Sequence, residues 1–590
     1  MPSLADLADE VVRTDVLIAG SEGTGARAAI AAHDAGASVT VVTKGFVGKS
    51  GATLTADADI DVDSRSCIKL FNLPGHPDDS IQVFFEDMVK EGDWLNNQRL
   101  VEIHCEEAGP RVKDLVDWGI RIERLTHAPG HQYPRGIWIE GPEFARVLTQ
   151  ELQKRPGIRL IETFMMTDVL TRNGRCVGAI GLDYRRGKVI AFEASAVIVC
   201  TGGAMRLYRY TTAPEELTGD GMAAAYRAGA ELMDMEFPMF LPYILIKPDA
   251  VNSIDFPYLL SAYLDAKALN RMGQEYMVKW DRLRMAWSTR DVNAIAQMME
   301  VLEGRGSPND GTYLSIKHIP KNILDRSSEW LPKMISKWRY GAFKMKEFLP
   351  DLSQDAIECA PACHFWNGGI RITEHCETNV PGLFAAGEGT GGVHGSNRVS
   401  GNALTMTQVW GPRAGVAAAK FAKENGHEEA DAEQAASFAE KIWAPLRRKS
   451  GASPIEIRKR TRGLSHLYLN AVRDGNNLNN TLKEIGDLKE EEKTVCTKNP
   501  DLRQYSMEWI EALQTENLLT MMEMVARASL MREESRGAMF RRDFMDTDGE
   551  NWLKSIIISQ DGDQMNLRTE PVVVTTLELP RKVYKYWDAE

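Results

Sequence analysis

Between Thr14 and Val42 the chain passes from an apolar, β-branched run through glycines into alanines, and few folds accept that order. Thr14–Ala19 (TDVLIA) reads as a buried parallel strand. It enters Gly20-Ser21-Glu22-Gly23-Thr24-Gly25, after which a helix is predicted over Ala26–Ala35 and a second strand over Ser38–Val42. Such glycines let the backbone approach a pyrophosphate, and the N-terminus of the helix offers free N–H groups to bind it. The segment predicts the opening of a dinucleotide-binding α/β domain. Glu22 occupies the middle glycine position of G-x-G-x-x-G, so its carboxylate is expected to turn away from the phosphates or the loop to be remodelled. The second strand ends at Thr43-Lys44 instead of the acid that holds the adenosine ribose of NAD, which favours FAD.

Composition sets the outer limits. At roughly 150 residues per domain, 590 residues suggest three or four domains. With 70 Lys and Arg against 83 Asp and Glu, the formal charge is −13. An acidic chain without a Lys/Arg block argues against nucleic-acid or membrane-surface binding, although buried arginines can still hold an anionic substrate. The greasiest runs, Ala194–Cys200 and Phe237–Ile246, are too short to span a bilayer, and Pro238 and Pro242 interrupt the second. The acidic start, without a signal-type apolar run, gives a cytoplasmic expectation. Cys67, Cys105, Cys176, Cys200, Cys359, Cys363, Cys376 and Cys496 form no CxxC pair, so buried free thiols are expected and no zinc or iron–sulfur site.

Three later segments narrow the reading. Val197–Gly203 is a strand running into Thr201-Gly202-Gly203, followed by Thr218-Gly219-Asp220-Gly221. Pro381–Glu388 precedes Val393-His394-Gly395-Ser396-Asn397-Arg398 and Ser400-Gly401-Asn402-Ala403-Leu404. Arg532-Glu533-Glu534-Ser535-Arg536-Gly537 stands near the end. In order and spacing, from about Thr14 to Trp587, these resemble the flavoprotein subunits of the succinate dehydrogenase/fumarate reductase family. The resemblance implies FAD held by Gly20, Gly23, Thr24, Gly25, Thr43, Lys44, Ser50, Gly51, Thr53, Thr201, Gly202, Gly203, Asp220, Glu388, Asn402, Ala403 and Leu404. Glu388 takes the ribose hydroxyls, and Gly401–Leu404 form a turn under the isoalloxazine ring. Relatives with a covalent flavin place a histidine where this chain has Ala52, so the FAD is expected to be non-covalent.

The same resemblance implies a hydride moving between flavin N5 and carbon, with a proton crossing at the neighbouring carbon. Arg290 in Ser288-Thr289-Arg290-Asp291-Val292 matches the proton-transferring arginine. His364 matches a substrate histidine and Arg398 a carboxylate-binding arginine, and a planar guanidinium suits a carboxylate bidentately. Other positions differ. Met239-Phe240-Leu241-Pro242 has leucine where the family has a substrate histidine, and Tyr258-Leu259-Leu260-Ser261-Ala262 replaces Thr-Glu-Gly-Cys-Arg. Asp265 and Lys267 are candidates for the missing proton relay. A pocket with Leu241, Tyr258 and Leu259 favours an acid with one carboxylate and a bulkier or aromatic remainder, or a conjugated acyl compound, over fumarate.

The expected fold is α/β: a Rossmann-like FAD-binding domain (1–236 and 357–416), an inserted α+β capping domain (237–356), a helical domain (417–535) and a small β-containing tail (536–590). Trp280 and Trp287 are expected to pack inside the cap, and Ser555–Ile558, Val572–Leu577 and Lys582–Trp587 to form strands. Lacking a cluster, the chain is expected to exchange electrons with a separate iron–sulfur subunit, and through such partners to be peripheral to a membrane. The alternatives are adenylylsulfate-reductase-like chemistry and a non-catalytic role in electron transfer.

Overall fold

The computed structural model describes residues 4–128, 130–324, 326 and 350–580. The apolar run opens a seven-stranded sheet in the order Ile158–Ile161, Val39–Val42, Glu10–Ala19, Lys188–Val199, Arg175–Asp183, Phe164–Arg172, with Leu383–Ala385 also paired to Lys188–Val199. Lys188–Val199 is long enough to serve two neighbours along one edge. Its first half pairs antiparallel with Arg175–Asp183, and its last three residues pair parallel with Leu383–Ala385. The register aligns Val42 and Val199 with Ala19, and Ala385 with Val199, so four parallel strands end at one level. Parallel strands concentrate their binding loops at that carboxyl edge.

The helix after the glycines spans Gly23–Asp34, three residues earlier than predicted at its start. Glu22 keeps an extended backbone (φ −79°, ψ −161°) as its N-cap, so helical geometry begins at Gly23. The long helix Asn402–Asn425 lies against this helix at backbone distance: a Cβ on Gly415 would fall 2.2 Å from the Ala28 carbonyl oxygen.

Residues after Phe237 build an antiparallel sheet in the order Pro238–Leu245, Ile357–Trp366, Thr312–Ser315, Lys267–Leu269, backed by the helix Arg290–Leu302. Trp280 is half-buried against its core, whereas Trp287 is 55% exposed, contrary to the packing expected for both. Helices Ala432–Arg447, Pro454–Tyr468, Gly475–Glu492 and Met507–Met531 follow. The tail forms a hairpin, Lys554–Asp561 with Gln564–Pro571, that extends a sheet through Leu232–Met233. Val572–Leu577 is not the strand that its alternation suggested. Its backbone bonds are taken by Gln98, whose Oε1 accepts from the N–H groups of Thr575, Thr576 and Leu577. Lys582–Trp587 lies outside the described residues. Among the described residues, no helix is long and apolar enough to cross a membrane, and every cysteine is a free thiol, all buried but Cys496.

The Arg532–Gly537 motif seals the tail onto this body. Buried Glu534 accepts from Arg532 (2.9 Å) and from Arg536 (2.6 and 2.8 Å), and Arg532 also donates to Glu236 (2.7 Å). Removing the acid leaves buried Arg536 without its carboxylate while Arg532 keeps Glu236, at a cost of about 3–5 kcal/mol. Glu534→Ala is therefore expected to lower the thermal midpoint by several degrees in a scanning calorimetry trace, with Glu534→Asp intermediate.

Candidate active site

The carboxyl ends of the four aligned strands open into a cleft of about 590 Å³ that continues under the antiparallel sheet. At the nucleotide end it is lined by Gly20, Gly23, Thr24, Thr43, Lys44, Ser50, Gly51, Thr53, Thr201, Gly202, Asp220, Glu388, Ala403 and Leu404. Gly20 has φ +111°, which a side chain would strain. Three expected contacts lie behind this wall. A Cβ on Gly25 would fall 1.9 Å from the Gly20 carbonyl, so Gly25 serves close packing of helix and loop. The Gly203 N–H donates to Glu388 at 3.4 Å. Asn402 is buried, donates to Asp61 (2.8 Å) and pairs with His104 (3.0 Å). Gly401 to Leu404 are not a free turn, because Asn402–Leu404 already begin the long helix.

Several polar groups of this half are spoken for. Lys44 Nζ donates to Asp220 and Thr218 (both 2.6 Å), so the lysine is fixed by its own ion pair. Ser50 is used by the turn at Phe46, and Thr53 Oγ1 accepts from the Gly23 N–H at 3.1 Å. Others are buried without partners, among them Ser21 Oγ, Thr201 Oγ1 and Glu22 Oε1. Glu22 turns towards Gly51, where a Cβ would fall 2.4 Å from its Cγ. Burial pushes its carboxyl up to about 8, with Glu216 adding to the rise against a Leu54 backbone bond. Burial likewise raises Glu388 to about 7, although the Trp366 (3.1 Å) and Gly203 N–H groups favour its charged form.

The other end collects Arg290, His364 and Arg398. Arg290 is the first residue of its helix, and its Nε donates to Tyr258 Oη (3.2 Å), its Nη2 to Ser400 Oγ (3.0 Å). Burial pulls its pKa down, but Tyr258, Asp59 and Glu91 outweigh this and hold it above the ordinary arginine value. His364 falls at a register shift between Ile357–Trp366 and Pro238–Leu245, and its Nδ1 lies 2.7 Å from Thr212 Oγ1. Arg398 is buried over the Phe365 ring (4.5 Å), with one bond to the Val399 carbonyl (3.1 Å) and Nε unpartnered. Burial and then the Arg290 charge push its pKa down to about 9. Two guanidiniums facing one cleft, one of them short of acceptors, make a site for an anion.

Residues 15–404 match the FAD binding domain family and residues 460–586 the fumarate reductase flavoprotein C-terminal family. The chain belongs to the succinate dehydrogenase/fumarate reductase flavoproteins. It is 33% identical to a fumarate reductase (CoM/CoB) chain of Methanothermobacter marburgensis, over 93% of this chain and 98% of that one. Its structure is similar to an E. coli quinol fumarate reductase chain, with a TM-score of 0.84, 25% identity, and 98% and 99% of the two chains covered. Adenylylsulfate reductase of Archaeoglobus fulgidus, at 20% identity and a TM-score of 0.74 over 96% and 97% of the chains, shares the fold. This flavoprotein is thus an FAD-dependent oxidoreductase. The glycine cradle and the unpartnered Ser21 and Thr201 hydroxyls fit the cofactor's diphosphate.

Sequence reasoning missed part of the cleft wall. Asp59, Arg124, Thr126 and His127 line it, as does Ser400. Asp59 and Asp61 share one face of the strand Asp57–Asp61, and the alternation D-A-D-I-D was the signal that would have found them. Conversely, Asp265 and Lys267 do not line the cleft and are exposed, with His318 and Glu275 respectively 3.9 Å away. Leu241 and Tyr258 do line it, and the side chain of Leu259 lies outside those described.

A diphosphate beside Glu22 disfavours its charge further, so FAD is expected to bind the protonated form. FAD affinity should be flat below about pH 8 and fall by up to tenfold per pH unit above it, where binding must recover a proton. Glu22→Gln should abolish that slope in a flavin-fluorescence titration.

Proposed function

We propose that this flavoprotein reduces, or in reverse forms, a carbon–carbon double bond next to a carboxyl or acyl group. The hydride is exchanged with the bound FAD, whose hydride chemistry belongs to the cofactor. The observation that carries this reading is the buried Arg398, one carbonyl bond short of isolation, facing Arg290 across the same cleft. A substrate carboxylate supplies the missing acceptors, and the positive field polarises the adjacent double bond towards an enolate-like transition state. His364, steadied by Thr212, adds a hydrogen bond to the same group. Arg290 lines the same cleft, held by Tyr258 Oη and Ser400 Oγ and kept protonated, so it is placed to give a proton to the α-carbon once the enolate-like charge develops there.

Specificity is read from what faces those cations. Leu241, 3% exposed and packed with Tyr210 and Ile244, offers a second carboxylate no partner, and Tyr258 presents an aromatic face. An unsaturated acid with one carboxylate and an apolar remainder fits better than fumarate. Electrons are passed to or from a separate iron–sulfur subunit, as the family resemblance implies. The cysteine pattern, which contains no CxxC pair, supports that. The FAD is held without a covalent bond, Ala52 having no nucleophile to offer, and the complex works at the cytoplasmic side.

Anaerobically reduced holoprotein mixed with crotonate, cinnamate or fumarate tests the reading directly. Flavin reoxidation by a monoacid should be at least about tenfold faster than by fumarate, and Arg290→Gln should slow it about 100-fold or more. Equal rates with fumarate would remove the specificity claim, and no reoxidation by any acid would leave an electron-transfer role. Leu241→His should raise fumarate turnover relative to cinnamate by about tenfold, the worth of one added polar contact.

A further inference from the structure

Arg290 must regain each proton it gives, and neither Asp265 nor Lys267 reaches the cleft. Of the other acids that line it, Glu22 and Glu216 interact at the nucleotide end, where Asp220 is paired with Lys44 and Glu388 is bonded to backbone N–H groups, and Asp255 stands at the N-cap of the helix Phe256–Tyr263. Asp59 is different. It is 8% exposed, lines the cleft together with Arg290, and is close enough for its charge to stabilise the guanidinium. Its strand partner in register is Trp138, and its hydrogen-bond donor is Thr126 Oγ1 at 2.7 Å.

The surroundings make Asp59 the carboxyl that holds an exchangeable proton. Two residues along the same face, Asp61 is fully buried, 3.0 Å from His131 Nε2 and bonded to Asn402, so its charge is matched in place. Burial first, and then Asp61, push Asp59 up to about 6, against the Thr126 bond and the charges of His131 and Arg124. The His131–Asp61 pair also fixes the loop that orients Arg290, because His131 Nε2 lies 3.0 Å from the Ser400 carbonyl while Ser400 Oγ accepts from Arg290.

We propose that Asp59 is the acid–base group that resupplies the proton Arg290 delivers to substrate. The inference rests on the double-bond chemistry proposed above. In the reducing direction, an N–H bond of Arg290 breaks as the α-carbon–hydrogen bond forms, while the hydride and its electron pair come from reduced FAD. The neutral guanidine then takes the Asp59 carboxyl proton across the cleft they share. The carboxylate left behind is reprotonated by water entering along the His127 and Arg124 wall. Oxidation runs the same transfers backwards, so protons balance in either direction.

Asp59→Asn tests this, since it keeps the shape and a group for Thr126 but carries no exchangeable acid. With the acid that reoxidises wild-type flavin fastest among crotonate, cinnamate and fumarate, kcat should fall about 100-fold or more. KM should stay within about threefold, and FAD content and spectrum should be unchanged. The wild-type reduction rate should fall as pH rises through the Asp59 titration, and that limb should vanish in the variant. Thr126→Val, which removes a bond favouring the charged carboxylate, should move the limb to higher pH without abolishing turnover. Should Asp59→Asn fail to load FAD, the Thr126→Val shift decides the matter alone. Wild-type rate and pH profile in Asp59→Asn, or an unmoved limb in Thr126→Val, overturns the role of Asp59 while the function stands. If wild-type flavin is reoxidised by none of the acids, it is the function that fails.

Discussion

Everything at the site depends on the register that ends four parallel strands at one level. Val42, Ala19, Val199 and Ala385 lie side by side, and the loops beyond them supply Thr43, Gly20, Thr201 and Glu388. The last of these arrives from a segment nearly two hundred residues further along the chain. It finds its place because Lys188–Val199 outruns its antiparallel neighbour by six residues, the last three of which pair with Leu383–Ala385. A shorter strand would leave Glu388 without its place at the cleft wall.

Electrostatics divide the cleft into two regimes. Around the nucleotide loops, burial favours neutral acids: Glu22 and Glu388 are both pushed into the neutral range. Around Arg290 and Arg398 the excess is positive, and the Arg290 charge lowers the pKa of its neighbour. Asp59 and Asp61 stand beside that positive end, which lets one carboxylate be neutralised locally while the other titrates.

The parts legible in the sequence are those whose physics is local. An apolar strand, a glycine turn and a helix start lie within thirty residues, so the order of elements at the nucleotide end could be read, and most residues named for it line the cleft while Gly25, Gly203 and Asn402 lie behind it. Arg290, His364 and Arg398 were found through their motifs and do converge at one end of the cleft. On the acid side the D-A-D-I-D alternation signalled Asp59 and Asp61, but not their partners, because those are brought in by long-range pairing. Thr126 meets Asp59 across 67 residues, and His131 meets the Ser400 carbonyl across 269. Val572–Leu577 shows the opposite error, where a correct alternation was overruled by one distant glutamine that claimed the backbone.

The tail hairpin has a consequence for how the molecule is made. Leu232–Met233 has Gly369–Ile370 on one side and Lys554–Asp561 on the other, so neither neighbour exists when the ribosome has finished the strand. The second follows some 320 residues later, which at ~5–20 residues per second is roughly 15–60 s of synthesis. The Glu236–Arg532–Glu534–Arg536 network closes over the same seam with residues from both ends of that interval. Until those residues are made, Leu232–Met233 keeps one edge open and Glu236 lacks its arginine, so this seam closes long after the strand itself has emerged.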